Sequence, residues 1–184
     1  MAVLDQLGLP RAHAYGVSMG GMVAQWLGID HASRIGGLVL ACTNPGLAHG
    51  VRRSAAAEQI IAGGDNFKVM ETFFAHRWSI PRFILSMRES VKIPMPEYAE
   101  RLHAQASTEH DSWDRLPTIT APVLILHGSA DPVTPAANAH LLAERIPGAE
   151  LHIVRGGRHM FFIEFDGKVN RLVTAFLRQH PLSG

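Results

Sequence analysis

An α/β domain built on a parallel sheet is the fold class that this 184-residue sequence predicts, and three observations predict it. Short β-rich apolar runs alternate with helical patterns along the chain. Two of those runs are continuously apolar, as strands covered on both faces are. The length and the 47% hydrophobic content suffice for one compact core, so residues 1–184 are expected to form a single domain.

The chain opens with Leu4 and Leu7 spaced as the last turn of an amphipathic helix closed by Gly8, with nothing ahead of it; the expectation is a start in mid-domain. A first strand is predicted over Ala12 to Tyr15, followed at once by Gly16-Val17-Ser18-Met19-Gly20-Gly21 and by Met22, Val23, Trp26 and Leu27 at helical spacing. The second strand, Gly37 to Ala41, ends at Cys42. This lone cysteine has no partner for an internal disulfide and reads as a buried structural thiol.

Residues 46–116 carry helical patterns and no strand pattern, and are expected to be a helical insertion: Ser54 to Ile61, Phe67 to Trp78, and a Pro96-led segment from Glu97 to Ser107. Ala62-Gly63-Gly64-Asp65 and Ile93-Pro94-Met95-Pro96 are local breaks between those helices. The third strand is Val123 to His127. Thr134-Pro135 then predicts an N-cap with proline at the first helical position, and Pro147-Gly148 closes that helix. After the fourth strand, Glu150 to Val154, the positions Val169, Leu172, Val173, Phe176 and Leu177 form the stripe of a helix laid on a sheet.

Lysine plus arginine (17) nearly balance aspartate plus glutamate (16). With no dense basic run, neither nucleic acid nor an anionic membrane is indicated as a partner. No signal peptide or long apolar span is present, so a cytoplasmic chain acting on a small molecule is expected.

The chemistry lies in three loops that each follow a strand. In a G-x-S-x-G turn between strand and helix the serine takes a strained backbone conformation, and the flanking glycines remove side chains that would collide. The bland alternative is a phosphate-binding turn, but neither G-x-G-x-x-G nor a Gly-Lys-Ser/Thr ending is present. A serine hydroxyl needs a base to take its proton and a third group to orient that base. Asp131, in His127-Gly128-Ser129-Ala130-Asp131-Pro132, sits just past the third strand, at the edge where sites in open α/β sheets collect. By itself it reads equally as a turn aspartate before proline. His159, in Arg155-Gly156-Gly157-Arg158-His159-Met160, follows the last strand; of 11 histidines it is the one in the position that the order serine, aspartate, histidine requires. His127 ends the strand leading to Asp131 and reads as structural. Met70, Phe73, Phe74, Trp78, Phe83, Ile84, Met87 and Trp113 of the insertion are mostly core, some being candidates for an apolar pocket.

The motifs Tyr15-Gly16-Val17-Ser18-Met19-Gly20-Gly21, Pro122 to Gly128 leading to Asp131, and Gly156-Gly157-Arg158-His159 together resemble the α/β-hydrolase superfamily, in its esterase, enol-lactonase and cofactor-free haloperoxidase-like branches. The resemblance implies Ser18, Asp131 and His159 as catalytic triad and makes residues 46–116 a cap. The four strands match the fifth to eighth of the family's sheet, so this is the C-terminal half of that fold. Of the two backbone N–H groups that form the family's oxyanion hole, the resemblance assigns the first to Met19. The second, in the loop after the family's third strand, has no counterpart in this chain. The implied activity is hydrolysis of a carboxylic ester or lactone through an acyl-enzyme, without cofactor or metal. The alternatives are acyl transfer or perhydrolysis on the same triad, or an inactive truncated fragment or binding module. The strand bearing Ser18 would then lie at an open edge, and self-association or a complementing N-terminal segment is expected there.

Overall fold

The computed structural model describes residues 1–87 and 95–182. Four strands form one sheet in the order β1-β2-β3-β4: β1 (Ala12–Val17), β2 (Ile35–Ala41), β3 (Val123–Gly128) and β4 (Glu150–Val154), every neighbouring pair parallel. The strands expected from sequence are all present, each within two residues of its anticipated ends.

Parallel neighbours taken in chain order place their crossover helices on one face of the sheet. Accordingly α2 (Met19–Asp30), between β1 and β2, and α7 (Ala137–Arg145), between β3 and β4, share one apolar cluster with Leu38, Leu40, Val123 and Ile125. The intervening side chains Val39, Ala41, Leu124 and Leu126 point the other way, as the two-residue period of a strand dictates, and meet Phe161, Val169 and Phe176. The last two belong to α9 (Asp166–Gln179), which follows the short α8 (Phe161–Glu164) and folds back over the second face. Burial on both faces is what the continuous apolar character of β2 and β3 demands: every residue of both strands is buried. At the N-terminus α1 (Ala2–Gln6) is a single exposed turn and a half, and Gly8 follows it with φ +64°.

Between β2 and β3 come α3 (Ala55–Ala62), α4 (Asn66–Phe73), α5 (Ser79–Met87) and α6 (Glu97–Glu109). Ser54 caps α3 by accepting from the Ala57 N–H, and Asp65 caps α4 by accepting from Phe67 and Lys68, so the glycine-bearing break at residues 62–65 falls between two helices as expected. The second expected break, Ile93-Pro94-Met95-Pro96, lies partly outside the described residues. The chain leaves and re-enters the sheet at a narrow neck. Gly46 and Asp111 form an antiparallel bridge, the Ser112 N–H donates to the Pro45 carbonyl, and the Ser112 hydroxyl donates to Gln25 Oε1 at 2.6 Å. Gln25, fully buried on α2, also donates to the Asn44 carbonyl.

Two helix limits differ from expectation for identifiable reasons. The pattern from Phe67 to Trp78 is one helix by periodicity, but the structure ends α4 at Phe73 and begins α5 at Ser79. The buried Glu164 carboxylate accepts from the Ala75 and His76 N–H groups (2.8 and 2.9 Å) and from the Ser79 hydroxyl (2.9 Å), holding the backbone out of the helix. Likewise α7 starts at Ala137 rather than beside Thr134, because the backbone groups of Thr134 are bound elsewhere, as described below. Among the described residues no helix is long and apolar enough to cross a membrane.

Candidate active site

Ser18 sits at the junction of β1 and α2 with φ +54° and ψ −119°, a conformation that L-residues avoid and that costs on the order of 1–3 kcal/mol when imposed. The turn around it is packed closely enough that two positions admit only glycine. A Cβ at Gly16 would stand 2.3 Å from the Gly20 carbonyl oxygen, and one at Gly21 would stand 2.6 Å from Thr43 Cβ. A Cβ at Gly20 meets nothing within 4 Å. Of the two glycines that flank the serine in the motif, Gly16 is thus required as expected, whereas the second requirement falls on Gly21 rather than Gly20.

The three residues singled out from sequence come together. His159 Nδ1–H donates to Asp131 Oδ2 at 2.8 Å, and the Ser18 hydroxyl faces His159 Nε2 at 3.0 Å. The first bond assigns the imidazole proton to Nδ1, leaving the Nε2 lone pair toward the serine. The aspartate and histidine are buried, whereas Ser18 is partly open.

Two interlocked loops hold the acid and the imidazole. Gly128, at the end of β3, packs so tightly on Gly157 that a Cβ would lie 2.3 Å from the Gly157 carbonyl oxygen. The Ala130 N–H donates to that same carbonyl at 2.9 Å, and the Gly156 N–H donates to Ser129 Oγ at 2.9 Å. Within the first loop Asp131 Oδ1 accepts from the Val133 and Thr134 N–H groups at 2.8 and 2.9 Å. His127 Nε2–H donates to the Thr134 carbonyl at 2.7 Å and lies 3.4 Å from Asp131 Oδ2. With its N–H and carbonyl so engaged, Thr134 does not start α7. Burial by itself would raise the Asp131 pKa, but hydrogen bonds from His127, His159 and the Thr134 backbone outweigh it and bring it down to about 2.

Cys42, fully buried with φ +41°, follows β2 directly and lies beside the same group. Its sulfur, an Asp131 oxygen and a His159 nitrogen lie within 4.8 Å of one another, a donor set suited to a soft metal. Burial and the neighbouring Asp131 charge push the thiol pKa up, which disfavours the thiolate that metal ligation would use.

Ser18 opens into a cavity of about 340 Å³ whose walls include Met19, Met22, Leu47 and Val51 with Arg52, Arg53, Ser107 and Thr108. Among the described side chains, the aromatic and methionine candidates of the insertion are not in its walls. Phe74 is buried against Phe83, Trp78 and Ile84 face outward, Trp113 stacks on His49, and the Met87 side chain lies outside the described residues. Phe73 does reach the cluster, its ring 5.4 Å from that of His159, and its carbonyl accepts from the Met160 N–H. Sequence reasoning missed Gln25, Asn138 and Glu164, buried polar side chains whose partners lie far along the chain. No local pattern marks them.

A family model for the alpha/beta hydrolase fold matches residues 2–166. The chain is 29% identical over 185 residues to 3-oxoadipate enol-lactonase 2 of Acinetobacter baylyi, covering 97% of this chain and 68% of that protein. It is 30% identical over 186 residues to a poly(3-hydroxyalkanoate) depolymerase of Ectopseudomonas oleovorans, with 96% and 64% covered. The solved structure of an N-acyl homoserine lactone degrading enzyme matches with a TM-score of 0.74 at 30% identity, over 95% of this chain and 71% of that one. This chain thus spans about two thirds of the length of these relatives.

Proposed function

The chain belongs to the α/β hydrolase fold family, and from that premise we propose that it is a serine hydrolase of carboxylic esters or lactones that works through an acyl-enzyme. The observation that carries the reading is the single imidazole spanning Ser18 at 3.0 Å and Asp131 at 2.8 Å. Such a span is what activates an otherwise weak hydroxyl.

In the proposed cycle Ser18 Oγ attacks the carbonyl carbon while His159 Nε2 takes the hydroxyl proton. Asp131 keeps the imidazole in the required tautomer and stabilises the imidazolium that forms. The tetrahedral intermediate collapses, the bond to the leaving oxygen breaks, and His159 returns the proton to that oxygen. Water then repeats the sequence on the acyl-enzyme, releasing the acid and restoring Ser18. The backbone N–H of Met19, at the start of α2 where amides lack helical acceptors, is the oxyanion donor we assign to this chain. Donors of this kind are each worth about 10²- to 10³-fold in turnover. Residues 46–116 serve in this reading as a cap, supported by Leu47, Ser107 and Thr108 in the cavity wall and by Phe73 against the imidazole.

The test is labelling with a fluorophosphonate probe, comparing the native chain with Ser18→Ala and His159→Ala. Labelling that requires both residues is the expected result; a folded native chain that takes no label overturns the reading.

A further inference from the structure

One wall of the Ser18 cavity carries, on an anchored piece of backbone, a positive charge that no described residue compensates. Arg53 is neutralised by Glu58, whose carboxylate lies 3.1 Å from its Nε, and both residues line the cavity. Arg52 lines it too and has no ion pair or hydrogen bond among the described residues. An exposed arginine on a free loop would mean only a solvated charge, but this one follows a clamped residue. Asn138, fully buried on α7, accepts from the Val51 N–H at 2.8 Å and donates to the Val51 carbonyl at 2.9 Å. The Gly50 N–H is bound to the Gly46 carbonyl, and a Cβ at Gly50 would press within 2.8 Å of Asn138 Oδ1. The backbone that presents Arg52 is therefore fixed by α7, in the wall of the cavity that also includes the serine.

We propose that Arg52 makes this site selective for esters or lactones bearing a second, free carboxylate. One unpaired guanidinium supplies one positive charge and a planar fork of donors, which matches a carboxylate in charge and shape. A phosphate dianion would call for more cationic charge than the described residues of this wall hold. Ser107, Thr108 and Thr134 add hydroxyls to the same cavity, and its volume of about 340 Å³ is at the small end of the roughly 300–1,000 Å³ of small-molecule sites. This inference rests on the site reading above and narrows the substrate class.

The experiment uses two matched ester pairs. Mono-p-nitrophenyl glutarate against p-nitrophenyl pentanoate puts the charge on the acyl side, and 4-carboxyphenyl butyrate against phenyl butyrate puts it on the leaving side. Turnover is measured in the native chain, Arg52→Gln and Arg52→Lys at low ionic strength, where screening is weakest. Binding of the same esters is measured by calorimetry on Ser18→Ala with and without Arg52→Gln. At least one anionic ester is expected to be preferred over its neutral counterpart by about tenfold, the effect of one charge-assisted contact. Arg52→Gln should erase that preference and Arg52→Lys retain part of it. Absence of any preference in binding, or a preference indifferent to Arg52→Gln, overturns the proposal. If the anionic esters bind selectively through Arg52 but none is turned over, the carboxylate site stands and the hydrolase reading fails.

Discussion

β1 and β3 each deliver one member of the proposed triad to the same end of the sheet, and they do it by different physics. β3 is buried along its whole length between two strands, and the acid beyond it is held by hydrogen bonds. β1 is paired on one side, is partly exposed, and slips register between Ala12 and Ala14. The serine beyond it sits in a turn set by close packing, where a Cβ at Gly16 or Gly21 would collide with Gly20 or Thr43. The acid should therefore be disturbed by changes in polarity, and the nucleophile by changes of a single methyl group.

The largest effect expected from this contrast is on the polar side. Asp131→Asn keeps the shape but loses the charge and the preference for the Nδ1–H tautomer, and should lower ester turnover by up to ~10⁴-fold. Initial-rate measurements on p-nitrophenyl esters check it, and a loss below tenfold would show that Asp131 does not orient His159. On the steric side, Gly16→Ala and Gly21→Ala should each destabilise the chain by about 1–3 kcal/mol and abolish fluorophosphonate labelling. Gly20→Ala should leave stability unchanged or raise it by up to about 1 kcal/mol, since a helix interior favours alanine. Urea unfolding of the three variants side by side tests this, and equal effects at all three positions would refute the steric account.

A smaller effect concerns acid. Because Asp131 has its pKa lowered from 3.8 to about 2 in the folded chain, it contributes stability that is fully present above about pH 4 and is lost as pH falls through about 2. The contribution is about 2 kcal/mol. The stability difference between the native chain and Asp131→Asn should shrink over that window, read from urea midpoints at pH 5 and pH 2.5. Smallest is the effect of the open edge: we expect concentration-dependent association through β1. Tyr15→Lys, placed on its exposed side, should weaken it a few-fold in light scattering, because charge on an edge strand opposes pairing. A chain that stays monomeric at all concentrations would remove that expectation.

How much of this was legible in the sequence follows the same division. Strands β2 and β3 announce themselves by unbroken apolar runs, and Ser18, Asp131 and His159 by glycine-bearing loops in a fixed order, because each signal is confined to a few neighbouring residues. The break between α4 and α5 was not legible, since the residue that makes it, Glu164, is 88 positions from His76. The delayed start of α7 was hidden for the same reason in miniature: the Thr134 carbonyl is taken by His127 and its N–H by Asp131, so a good capping sequence is spent on holding a carboxylate. Arg52 escaped notice because an arginine beside another arginine looks like solvated surface until Glu58 is seen to neutralise only one of them.

The neck at Gly46 and Asp111 makes residues 46–111 an excursion from the sheet with a closed base. With both ends fixed to each other and tied through Ser112 to Gln25, the sheet experiences the segment as a closed loop whose length hardly matters, for the entropy of closure rises only slowly with the number of residues. Grafting between Pro45 and Ser112 would exchange one set of cavity walls for another, and a graft that leaves β2, β3 and the Asp131 loop in place must also supply partners for the buried Asn138 and Glu164 side chains, which now hold Val51 and residues 75–79.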